Sequence, residues 1–350
     1  MSTPALNLHD ASGALQFYEG RFERGYMSRW PEAKRTRVSR LVQSLGLPPQ
    51  GRALDFGCGA GVFTDVLARA LPGWQIDGTD LSVTAIEQAK RRLPSVSFFP
   101  LSACEQIEGQ YDFVFTHHVL EHVSDIQQSG ELLRRMLKPR ASMLHILPCG
   151  NAGSFAHWVC TLRRDGIDPE QEFRFFYDEE GHMRRLDSRR LGDLWKAAGF
   201  RQTHAWYAHQ RTGTIAWITG ANLEDVIAFA DPRAGYATRA RHQLAALRIG
   251  LLALWVMRKP MTIIRHKTTL GCRTARDYAL LFGAIGCAPL SFPIDRLMPY
   301  LEEREWHRRQ DDPRAAEMYV HLSRDCADAP DVVPRRDAER PCAGFRQNAK

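Results

Sequence analysis

The run Leu54-Asp-Phe-Gly-Cys-Gly-Ala-Gly-Val-Phe63 constrains this chain more than any other segment. It follows a strand-like stretch, 52–56, and opens a helix-like one, 61–70. Gly57, Gly59 and Gly61 stand at alternate positions. Glycine there lets the backbone turn tightly and lets a ligand approach with no Cβ in the way. Asp80 follows at the end of the second predicted strand, where a carboxylate can accept two hydrogen bonds from a ribose diol. The dinucleotide fingerprint needs a third glycine where Val62 stands, which weakens that reading of the loop.

Strand and helix patterns alternate around this loop. Strands are expected at 74–78, 96–100, 111–116 and 142–147, and helices at 61–70, 83–93 and 126–137. Such βαβ alternation predicts a parallel sheet with helices on both faces. Ser188 reads as the N-cap of a helix over 189–198, closed by Gly199, with a sixth strand at 200–207. An earlier helix is expected at 33–45, behind an aromatic segment that carries Phe17, Tyr18, Phe22, Tyr26 and Trp30. That segment reads equally as a lid, closing Tyr18 or Tyr26 over a ligand, and as ordinary packing on the sheet. From 211 to 310 the pattern turns helical, and 317–323 reads as one more strand. The domain reading is an N-terminal helical cap (1–50), a core (51–210), a helical insertion (211–312), a last core strand (313–325) and a disordered tail (326–350).

The eight cysteines show no C-x-x-C spacing, which reads as reduced, cytoplasmic thiol with no metal or redox motif. The first ten residues lack a secretory pattern, and no uncharged apolar run reaches the length of a bilayer span. Lys and Arg number 47 against 40 Asp and Glu, a net charge of +7. The excess is local: from 232 to 276 there are ten Lys or Arg and no acidic residue, around the apolar run 244–257, and a second apolar run follows at 278–294. Apolar helices flanked by basic residues suit peripheral contact with a membrane surface through 232–294. The plainer alternative is a helical cap packed on its own core. The charge also fits nucleic acid, but the run is more aliphatic than such patches usually are, so nucleic acid is not the expected partner.

The chain resembles the class I S-adenosylmethionine-dependent methyltransferases, most of all the group that includes the ubiquinone-biosynthesis type enzymes. The resemblance runs from about Gly51 to Phe200. It rests on the 55–61 loop, on 78–82 (GTDLS), on 111–123 (YDFVFTHHVLEHV), on 132–139 (LLRRMLKP) and on Ala198-Gly199-Phe200. It implies a Rossmann-like α/β three-layer sandwich with a mostly parallel seven-stranded sheet in the order 3-2-1-4-5-7-6. It implies S-adenosyl-L-methionine as cofactor, with the Gly57, Cys58, Gly59 and Gly61 loop under the methionine part. Asp55 would position the loop and the amino group, Asp80 would hold the ribose, and Leu81, Ala103 and Cys104 would lie by the adenine. His117 would sit near the sulfonium. Two positions depart from the family: Ser102 stands where an acid is common, and Arg140-Ala141 replace Gly-Gly.

Methyl transfer mainly needs the nucleophile aligned with the methyl group. A general base is needed only for a hydroxyl or a protonated amine. The candidate catalytic residues are His118, Glu121 and His122, whose spacing could gather them on one helical face. The structural alternative for Glu121 and His122 is packing and capping at a helix start. Related quinone enzymes are thought to hold a divalent metal there, but His118 replaces the first carboxylate, and no metal is expected. The expected function is methyl transfer to oxygen or nitrogen of a small or lipid- or glycan-linked acceptor, in the cytoplasm or at the inner membrane face. The alternatives are a non-catalytic cofactor-binding scaffold and an RNA or protein methyltransferase.

Overall fold

A computed structural model describes residues 11–27 and 30–324; the tail expected at 326–350 lies outside them. The sheet strands are β1 (Gly51–Phe56), β2 (Trp74–Asp80), β3 (Ser97–Pro100), β4 (Tyr111–His117), β5 (Leu137–Pro148), β6 (Phe200–Ala208) and β7 (Glu317–Arg324). They run in the order β3-β2-β1-β4-β5-β7-β6. The first five are parallel, and β7 is antiparallel to both β5 and β6. This is the Rossmann-like, mostly parallel seven-stranded sheet that the alternation and the resemblance imply. β4 shows why the pattern was readable: Val114 packs into one face's core with Leu54 and Met143, while Phe113 and Phe115 pack into the other with Ala53 and Leu144. A central parallel strand buries both faces and reads as a continuous apolar run.

Helices α3 (Val62–Ala70), α4 (Val83–Arg92), α5 (Ile126–Met136) and α7 (Ser188–Ala197) flank the sheet. In the N-terminal region lie α1 (Ala11–Glu23) and α2 (Glu32–Ser44), and α6 (Phe155–Thr161) follows β5. Between β6 and β7 come α8 (Thr212–Ile218), α9 (Leu223–Phe229), α10 (Thr238–Leu270) and α11 (Ala275–Arg309). The last two are long, pack against each other and form a hairpin.

Three local expectations are corrected. The N-cap of α7 is Asp187, whose carboxylate accepts the Arg190 N–H at 2.8 Å; the Ser188 hydroxyl instead meets Asn151 and Tyr207. β5 starts directly after α5, at Leu137 rather than Ser142. Within it Arg140 takes φ +68°, a left-handed conformation that suits the glycine usual in this family and strains a side chain. Arg140→Gly is expected to raise stability by roughly 0.5–1 kcal/mol, the relieved strain less the added freedom of the unfolded chain, in thermal or denaturant melts. The third correction concerns residues 118–125, which form a loop and not a helix.

Candidate active site

A cavity of about 1280 Å³ opens at the C-terminal ends of β1, β2 and β4. Ligands bind at that edge in open α/β sheets. The cavity also runs along α5 to Gly109, Arg135 and Arg324 at the opposite edge of the sheet, so only part of that volume lies over the glycine loop. Its floor is the loop after β1. Gly57, Gly59 and Gly61 have φ of 77°, 51° and 76°. The N–H groups of Gly57 and Cys58 both donate to the Thr79 carbonyl, at 2.8 and 2.9 Å, and tie the loop to β2. A Cβ on Gly57 would lie 2.4 Å from Val119 Cγ2.

Asp80 is buried at the end of β2 and lines the cavity. Its carboxylate accepts the Gly59 N–H at 2.8 Å and the Ser82 N–H at 2.9 Å. A carboxylate has about four acceptor positions, so Asp80 keeps room to accept from a ribose hydroxyl. Burial raises its pKa to about 6, against the pull of those N–H groups. Asp55 is buried deeper, is pushed up to about 7 by desolvation, and accepts the Thr64 hydroxyl at 2.6 Å. The glycine-rich loop, the partly free carboxylate and the second acid beneath them fit S-adenosylmethionine.

Several predicted cofactor residues are placed differently. Cys58 and Leu81 line the cavity, but Gly61 does not; it backs onto Ala89 of α4. Ala103 and Cys104 do not line it either. Cys104 turns inward, with its thiol 3.6 Å from the Thr79 hydroxyl, and the wall there is made by Leu101, Ser102 and Glu105.

At the end of β4, His117 and His118 both line the cavity. The His117 ring stacks on Phe63 at 3.9 Å between centroids and meets the edge of Trp30. Its Nε2 has no hydrogen-bond partner among the described residues. Burial and the neighbouring His118 hold its pKa well below the usual histidine value. His118 sits at φ +55°, with Nδ1 2.9 Å from Glu121 and Nε2 3.1 Å from Glu317. Burial alone would lower its pKa; the two carboxylates outweigh burial and push it up to about 9. Glu121 is buried behind His118 and does not line the cavity; its carboxylate lies against His118 Nδ1. His122 lines the cavity through the same loop. Its Nδ1 lies 2.8 Å from the Tyr18 hydroxyl and 2.9 Å from the Gly181 carbonyl, and burial lowers its pKa.

Tyr18, Phe22, Tyr26 and Trp30 all line the cavity, so the aromatic segment both packs on the core and covers the site. It is fastened by Glu179, which takes the Tyr26 hydroxyl at 2.5 Å and pairs with Arg21.

The residue that sequence reasoning missed is Glu317, at the start of β7. It holds Lys34 at 2.5 Å and the Tyr319 hydroxyl at 2.7 Å as well as His118. Its only signal was an acid opening an otherwise apolar strand. Two groups of donor atoms lie within 4.8 Å of one another: His117, His118 and Glu317, and Glu121, His122 and His182. In the first, the Lys34 ammonium already supplies the positive charge.

A family model described as a methyltransferase domain matches residues 28–205, just over half the chain. The chain is 26% identical over 220 residues to a trans-aconitate 2-methyltransferase of Methylobacterium nodulans, covering 61% of this chain and 84% of that protein. It is 30% identical over 114 residues to a malonyl-[acyl-carrier protein] O-methyltransferase of Legionella pneumophila; the match covers 31% of this chain and only 40% of that protein. Among solved structures, a phosphoethanolamine N-methyltransferase 2 of Haemonchus contortus with S-adenosyl-L-methionine is 16% identical, with a TM-score of 0.46, covering 90% of this chain and 57% of that one.

Proposed function

The chain belongs to the methyltransferase-domain family, its cofactor is S-adenosylmethionine, and from that premise we propose that it methylates a carboxylate oxygen of its acceptor. One observation carries the reading: both ring nitrogens of His118 face buried carboxylates, which keep the ring protonated at neutral pH. An imidazolium cannot take a proton from a hydroxyl or an ammonium. The other histidines on the cavity wall, His117 and His122, are weak bases because burial lowers their pKa values. A histidine works best as a general base when its pKa lies near neutral pH. A carboxylate acceptor is already ionised at that pH and needs no base. Two relatives are named for acceptors that carry carboxyl groups, aconitate and a malonyl thioester.

Bound at the glycine loop, S-adenosylmethionine supplies an electrophilic methyl group. The chain supplies alignment. Asp80 would accept the ribose hydroxyls, and Asp55 would face the amino group under the loop. The His117 Nε2 is the buried polar atom left to hydrogen-bond the acceptor on this wall. The aromatic ring set of Phe22, Trp30 and Phe63 excludes water from the reacting end. Transfer to a carboxylate oxygen would require no side chain on this wall to take a proton.

The test uses methyl-labelled cofactor and an acidic metabolite extract. Methyl esters hydrolyse in mild alkali and release labelled methanol, whereas methyl ethers and methylamines keep their label. Volatile label after alkali is the expected result. Label that resists alkali refutes carboxylate methylation while leaving the methyltransferase activity standing.

A further inference from the structure

The α10–α11 hairpin leaves the core with its apolar side uncovered. Its base is anchored: Leu244 and Leu251 of α10 pack with Ile218 and Phe229, and Trp306 of α11 packs with Tyr319. Further out, α11 carries 17 consecutive uncharged residues, 278–294. Phe282, Leu290 and Ile285 are 68%, 79% and 49% exposed there. Exposed apolar surface on this scale marks an interaction site and not ordinary scatter. The α10 stretch running beside it is basic. Arg265 and Lys267 are paired with Asp295 and Asp277, and Lys259, Arg273 and Arg276 have no acidic partner among the described residues.

We propose that this hairpin lies on a membrane surface, with α11 sunk into the interface and the α10 and tip cations on anionic headgroups. Two magnitudes favour lying over crossing. By length and composition α11 alone could cross a bilayer, but its uncharged run spans only about 25 Å at 1.5 Å per residue, against a hydrocarbon core of about 30 Å. The longest uncharged run of α10 near it, 249–257, covers only about 14 Å, so α10 could not follow its partner through. A second copy of this chain fits less well. A two-fold contact through α11 would bring the same unneutralised cations, Lys259, Arg273 and Arg276, towards their copies. The inference does not depend on the acceptor being a carboxylate.

The test is flotation of the full chain with phosphatidylcholine vesicles, with and without phosphatidylglycerol. Binding is expected to the anionic vesicles and to fall at least about tenfold on neutral ones or in high salt. Phe282→Asp with Leu290→Asp should abolish it. Arg273→Glu with Arg276→Glu should weaken it at least about tenfold and flatten its salt dependence. These side chains are exposed, so helicity and cofactor affinity should not change, and both are measured alongside. The proposal is overturned if the wild-type chain ignores anionic vesicles. It is also overturned if the apolar pair of substitutions leaves flotation intact, or only dissociates an oligomer that forms without lipid.

Discussion

Gly57→Ala is expected to lower S-adenosylmethionine affinity by at least about a hundredfold in calorimetric titration and to destabilise the fold by roughly 2–4 kcal/mol. Two costs add. Gly57 sits at φ +77°, where a Cβ brings a penalty of about 1–2 kcal/mol. The added methyl would also stand 2.4 Å from Val119 Cγ2, well inside any real contact. Relief needs one of two movements. The loop can lift, breaking the paired N–H bonds to the Thr79 carbonyl, or the segment holding His118 and Glu121 can retreat. Either movement spoils the cavity. Gly46→Ala separates the two costs, because Gly46 also has positive φ, +68°, but nothing lies within 4 Å of its would-be Cβ. That variant should lose only about 1 kcal/mol and bind cofactor normally. Equal behaviour of the two variants would show that the clash with Val119 does not shape the loop.

The glycine loop and Asp80 were legible in the sequence because their geometry is local. A positive-φ glycine is marked by its own residue type, and a strand end is marked by where an apolar run stops. The 118–125 loop was misread because tertiary bonds override helical spacing there. The His118 N–H donates to the Ile146 carbonyl at 2.8 Å, which carries the β4–β5 ladder one step further, and the Glu121 carbonyl accepts the Met183 N–H at 2.7 Å. His118 and Glu121 do meet, but across a left-handed turn and not along a helix face. Cys104 was placed by analogy on a surface that Ser102 and Leu101 occupy; no periodicity marks which way a short 3₁₀ turn faces. Glu317 was illegible for a different reason. It lies 199 residues from His118, and the insertion between β6 and β7 hides the pairing that the strand order creates.

That pairing sets the role of His118, and His118→Gln measures it. Burial opposes the charge on wild-type His118, and Glu121 and Glu317 outweigh it; Lys34 shares Glu317 Oε1 with His118, and His209 lies 3.5 Å from Oε2. Its pKa rises from the ordinary 6.5 to about 9 on folding. A raised pKa contributes stability that is fully present below about pH 6.5 and is lost as the pH climbs through about 9. The wild-type chain should therefore lose more of its denaturation free energy over that window than His118→Gln, in which Lys34 and Asp55 still titrate. At pH 7 the variant should be less stable by roughly 3–5 kcal/mol, the cost of leaving a buried carboxylate without its cation. Turnover of a carboxylate acceptor should stay within about tenfold of wild type, because His118 touches no proton in flight. If His118 were the general base, the variant would instead lose about 10²–10⁴ in rate, and wild-type rates would climb towards pH 9 as the imidazolium gave up its proton. The ion pairs set the stability cost under either reading, so the rate of one variant assayed across pH 6 to 10 separates them.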